Sequence, residues 1–190
     1  MTMTDFPEVH VTTRAQLRDW FIANHATAPG IWLVSWRSNT GRERISVGET
    51  VEECLCFGWI DSRIRKLDDE RNALRLTPRR TGGTWSALNK ERVERLRQQG
   101  RMTTAGEAVI QRSIEDRSWA FLDDIEALIT PDDLRLALDT AGTTEGWDRV
   151  PASKKKASLW WIKTAKRPAT REKRIGAVSQ AAARGESIAD

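Results

Sequence analysis

Trp59-Ile60-Asp61-Ser62-Arg63-Ile64-Arg65-Lys66, followed by Leu67-Asp68-Asp69-Glu70-Arg71 and then Asn72-Ala73-Leu74-Arg75-Leu76-Thr77, is the stretch that decides the fold. Two strand-like runs separated by a short polar turn spell a β-hairpin. Upstream, Ile31-Trp32-Leu33-Val34-Ser35-Trp36 is apolar on both alternating faces, as a strand buried on two sides requires. Ser38, Asn39, Thr40 and Gly41 then turn the chain, and a short strand near Arg44 and Ile45 is expected to pair back. Helices lie between these runs. Thr13 with Gln16 forms a capping box ahead of Leu17, Trp20 and Phe21, and this helix ends near Asn24. Ser46 with Glu49 forms a second, ahead of Val47, Val51 and Leu55 and a stop at Gly58. His10 falls in an amino terminus read as loose.

From Trp85 onward the periodicity is helical. Leu88, Val93 and Leu96 mark one helix ending at Gly100, and further helices are read at 104–114, 131–138, 154–165 and 170–183. The expected fold class is therefore α+β: a small antiparallel β-β-α-β-β sheet with an amino-terminal helix and a helical carboxyl-terminal half. Residues 1–84 are expected to form the sheet region, and 85–190 a helical region packed on it as one compact unit.

A chain of 190 residues with 39% hydrophobic and 31% charged residues can build its own core and is far from the composition of disorder. Its apolar runs are too short for a membrane span, and Asp5, Glu8, Arg14, Arg18 and Asp19 interrupt any secretory signal. The expected location is cytoplasmic. The net charge of +4 hides a segregation: residues 63–101 carry +7, 102–150 carry −7 and 151–174 carry +8. If the acidic segment folds onto a basic block the charges neutralise each other; otherwise a basic face remains for phosphate-rich partners.

Cys56-Phe57-Gly58-Trp59-Ile60-Asp61-Ser62, Thr77-Pro78-Arg79-Arg80, Trp85-Ser86 and Gly100-Arg101-Met102-Thr103 carry a resemblance. So do Trp160-Trp161-Ile162, Ala165-Lys166-Arg167-Pro168, Thr170-Arg171 and Arg174-Ile175. In these motifs, in this order and along nearly the whole chain, the sequence resembles the YdeI/OmpD-associated family of bacterial proteins, also called bacteriocin-protection proteins. The resemblance implies a role in envelope stress or resistance to cationic antimicrobial peptides. It carries over no catalytic residue. Some members are described as periplasmic, and this sequence departs from them in showing no export signal.

Arg79-Arg80-Thr81-Gly82-Gly83-Thr84-Trp85-Ser86 leads a basic pair and two glycines into a helix start. Free amides, the positive helix end, two guanidiniums and the Thr84 and Ser86 hydroxyls can together hold a phosphate or carboxylate, with Trp59 beside them. The same residues also make an ordinary solvated loop with a cap. Asp61 follows in the hairpin as a candidate general base or as an orienting partner of the arginines, and equally as a salt-bridge residue. His25 is the second weak catalytic candidate, with a plain helix-end role as its alternative. Cys54 and Cys56 point apart on a helix and read as apolar fillers, with no metal expected. No cofactor is expected either, since neither a Gly-Lys-Ser/Thr loop ending nor a Gly-x-Gly-x-x-Gly fingerprint occurs.

Lys155, Lys156, Lys163 and Lys166 share one helical face and, with Arg167 and Arg171, form a cationic stripe suited to nucleic acid or acidic lipid. Three functions follow. The first is a non-catalytic binding or stress-protection protein engaging an anionic small molecule or acidic partner near Arg79, Arg80 and Ser86. The second is nucleic-acid binding through the stripe, and the third an enzyme on an anionic substrate with Asp61 or His25 as acid or base.

Overall fold

The computed structural model describes residues 6–186. The chain divides into two compact units, Met1–Ala120 and Phe121–Asp190.

The first unit is a sheet covered on one side by helices. Its elements run β1 (Glu8–His10), α1 (Arg14–Asn24), β2 (Ile31–Trp36), α2 (Val47–Cys56), β3 (Trp59–Lys66), β4 (Arg71–Pro78), α3 (Ala87–Gln98) and α4 (Thr104–Glu115). The strands lie in the order β1-β2-β4-β3. The hairpin read from the sequence is present, pairing Trp59 with Pro78 at one end and Lys66 with Asn72 at the other. Between Asp61 and Ile64 the register shifts, so β3 spends one more residue than β4 there and bends.

Two parts of the expected sheet need correction. No strand forms at Arg44 and Ile45: Ser38–Thr40 is a turn of 3-10 helix, and the Thr40 hydroxyl donates to the Arg37 carbonyl at 2.8 Å. Ile45 is buried in the core instead, because β4 already occupies the edge of β2 that a returning strand would need. Nor is the stretch around His10 loose. Glu8–His10 pairs with β2 in parallel through α1, so the sheet is mixed and not antiparallel throughout.

Strand β2 is buried on both faces, as its sequence demands. Ile31 and Leu33 join Leu17, Phe21, Leu55, Leu76 and Trp59 under the helices. Trp32 and Val34 pack with Ala73, Phe6 and Leu67 on the other face, where the Arg65 guanidinium lies 4.2 Å over the Trp32 ring. Both capping boxes form, with Thr13 and Ser46 each accepting the backbone N–H three residues on. Val93 and Leu96 of α3 and Ile110 of α4 share the core of the sheet, so these two helices belong with the sheet although their sequence grouped them with the helical half.

The second unit is helical: α5 (Asp123–Glu126), α6 (Asp132–Ala141), α7 (Thr144–Arg149), α8 (Ala152–Lys163) and α9 (Pro168–Ala183). Pro168 stands at the first turn of α9, where its missing N–H costs nothing. Leu134, Leu138, Trp147, Leu159, Ile162, Ile175 and Val178 form its core. No helix of the described residues is long and apolar enough to cross a membrane.

Candidate functional site

The chain after β4 separates the two arginines. The Arg79 N–H donates to the Gly58 carbonyl at 2.9 Å, extending the ladder by one residue, and its guanidinium carbon stands 3.8 Å over the Trp85 ring. One terminal nitrogen reaches the Thr84 carbonyl at 3.4 Å, while Nε is buried without a partner. Arg80 is exposed. Burial pulls the Arg79 pKa down to about 10, with the Asp61 charge acting in the opposite direction. A cation that loses hydration without gaining a carboxylate partner is electrostatically under-compensated, and a bound anion relieves that cost.

The other expected contributors are placed differently. The Ser86 hydroxyl caps α3, accepting the Asn89 N–H at 3.3 Å. The Gly82 N–H donates to an Asp116 carboxylate oxygen at 2.9 Å, so a side chain of α4's end already supplies negative charge to this loop. That bond and those to Ser118 hold the Asp116 carboxyl below its ordinary value, the Ser118 side chain contributing most. Trp59 lies in the core, 1% exposed, its ring N–H donating to the His25 carbonyl at 3.2 Å. It cannot wall a ligand site there. The His25 ring is held too: Nδ1 lies 2.8 Å from the Phe21 carbonyl, and the ring packs 5.2 Å from Phe57. Asp61 is near enough for Arg79 and Cys54 to feel its charge but makes no direct ion pair with Arg79 among the described residues. Cys54 and Cys56 are free and buried, and burial pushes both thiols up. The geometry gathers Arg79, Thr84 and Trp85, and it does not join Asp61 with His25.

A second charged constellation was not foreseen. Glu53 of α2 has no exposed surface and takes Arg14 at 2.6 Å, Arg18 at 2.9 Å and Arg101 at 2.7 Å. Arg14 also pairs with Glu52 at 2.7 Å, and Arg95 pairs with Glu52 from α3. Arg18 further donates to the Arg101 carbonyl at 2.9 Å. The available signal was the Arg14/Arg18 spacing, which puts two guanidiniums on one face of α1.

In the second unit the acidic helices meet the basic ones. Lys156 pairs with Glu126 at 2.5 Å, Lys163 with Asp124 at 2.6 Å, and Arg171 grips both oxygens of Asp133 at 2.6 and 2.9 Å. Lys155 donates to the Asp148 carbonyl at 3.0 Å. Lys166 and Arg167 remain exposed. Arg171 holds the Asp133 carboxyl below its ordinary value of 3.8. A carboxylate so lowered stabilises the fold above its unfolded pKa, and that contribution is lost as pH falls through the folded one. Urea midpoints should hold steady down to about pH 5 and decline below about pH 4, and Asp133→Asn should shallow the decline. An unchanged acid limb in that variant would contradict the assignment.

What the fold and these clusters define is a two-unit chain, an α+β domain followed by an all-helical one. The chain belongs to the family described as a domain of unknown function, DUF8412, which it matches over residues 9–109. Residues 127–185 match the family described as bacteriocin-protection, YdeI or OmpD-associated. The family resemblance read from the sequence is thus borne out in the second unit, whereas its motifs at 56–62 and 77–103 fall within the other family's match. No curated protein and no solved structure is matched.

Proposed function

We propose that the chain is a non-catalytic binding or stress-protection protein of the YdeI/OmpD-associated type, and that its sheet unit takes an anionic group, carboxylate or phosphate, at Arg79. The observation that carries this is the partly buried guanidinium over the Trp85 ring, with Nε unpartnered and no carboxylate in ion-pair contact among the described residues. Arginine's fork suits either anion, and a charge-assisted bond is about twice as strong as a neutral one.

Calorimetric titration with inorganic phosphate, citrate and a sugar phosphate tests this. Losing a hydrogen bond to a charged group costs about 1.5–3 kcal/mol, so Arg79→Ala should weaken binding roughly tenfold or more. Arg80→Ala, at an exposed position, should change it by less than about threefold, in line with surface charges contributing under 1 kcal/mol. Equal affinity in the wild type and Arg79→Ala would refute the placement.

A further inference from the structure

We infer a second binding site, for a small amphiphilic anion, in the cleft between the helix-facing side of the sheet and the start of α2. The inference is independent of the Arg79 reading. The cleft encloses about 130 Å³, and its lining sorts by chemistry. Leu33 and Leu74, which are register partners, meet Ile64 from β3 and Val47 from α2 to give an apolar floor. Ser35 and Asn72, also register partners, follow as a polar step. Arg37, Ser38 and Arg44 stand in the remaining wall, on the connection that leaves β2.

Three features make this more than an irregularity of packing. Ile64 and Val47 are 63% and 55% exposed, so apolar surface is left open along this cleft. The side chains of Ser35, Ser38 and Asn72 make no hydrogen bond among the described residues, whereas the neighbouring Thr50 and Ser46 hydroxyls are committed to the capping of α2. Arg37 and Arg44 have no ion pair among the described residues, although Arg42 between them is paired with Glu70 and stacked on Trp36. Two uncommitted guanidiniums beside uncommitted polar groups and an unsealed apolar floor suit one kind of guest. It has a short chain or single ring for Leu33, Leu74 and Ile64, and a carboxylate or phosphate for the arginines. The small volume suits a ring or short chain better than a long lipid tail.

The test is a titration of the intact chain with hexanoate and benzoate, followed by amide NMR shifts, with hexanol as the uncharged control. Saturable shifts are expected at Ser35, Ser38, Val47 and Asn72. They should weaken about tenfold in Arg37→Ala with Arg44→Ala, as expected when charge-assisted bonds are lost. Ile64→Trp, at an exposed position that leaves the core intact, should abolish them by filling the cleft, and Arg79→Ala should leave them unchanged. Absence of saturable shifts up to roughly 10 mM, an affinity too weak to discriminate ligands, would overturn the site. So would equal binding of hexanol, or shifts that survive both cleft variants. Shifts confined to residues 79–85 and lost in Arg79→Ala would support the first site and remove the second.

Discussion

Glu53→Ala should be the most damaging single change in the sheet unit, costing about 3–5 kcal/mol, the range for leaving partner charges uncompensated in a buried ion pair. Three guanidiniums from α1 and from the segment after α3 converge on this carboxylate, which has no exposed surface of its own. Alanine leaves those donors facing one another with nothing to accept them. It also releases the tie that joins α1, α2 and the Arg101 segment, since Arg18 reaches the Arg101 carbonyl through the same cluster. Glu52→Ala should cost less, because its partner Arg95 is half exposed and can turn to water. Urea unfolding of the purified variants reads both. A Glu53→Ala midpoint equivalent to less than about 1 kcal/mol of destabilisation would show that the cluster is a solvated surface pairing. Replacing Glu53, Arg14, Arg18 and Arg101 together by apolar residues should recover much of the loss, because burial of an ion pair is rarely better than good apolar packing.

What could be read in the sequence followed the range of the interaction. Thr13 with Gln16 and Ser46 with Glu49 are contacts three residues apart, so spelling alone identifies them. The hairpin and the two-sided burial of Ile31–Trp36 are period-two patterns and survive for the same reason. β1 escaped because three residues cannot show a period, and its parallel pairing with β2 is made through α1. Ile45 reads as strand by residue type but is a core plug on an irregular connection. At the candidate site one source of divergence is adjacency in sequence. Arg79 and Arg80 are adjacent in sequence at a strand's end, where successive side chains point to opposite faces, so adjacency argued for convergence where geometry divides them. Asp116 at Gly82 and Glu53 among its arginines are contacts 34 or more residues apart, beyond what spacing encodes.

The second large effect is expected in the helical unit, where Gly146→Ala should destabilise although alanine is the better helix former. Gly146 lies in α7 where it crosses α9, and a Cβ there would stand 2.0 Å from the Ala182 carbonyl oxygen and 2.9 Å from its carbon. Backbone cannot rotate aside as a side chain can, so the helices must separate. That crossing also carries the Thr143–Ser179 hydroxyl contact at 3.2 Å, and beside it the buried Trp147 ring donates to Thr130 at 3.1 Å. Overpacking of a filled core costs about 1–3 kcal/mol and sometimes more, and the upper end is expected because the obstructing atoms are main chain. Gly176→Ala in α9 is the matched control: nothing stands within 4 Å of its added Cβ, and its φ is not in the left-handed region. There the helix preference acts alone and should stabilise by about 0.5–1 kcal/mol. The same substitution on the two helices should therefore shift the unfolding midpoint in opposite directions. If both variants gained stability, the close approach of α7 to Ala182 would be wrong, and if both lost it, helix preference would not be what governs position 176.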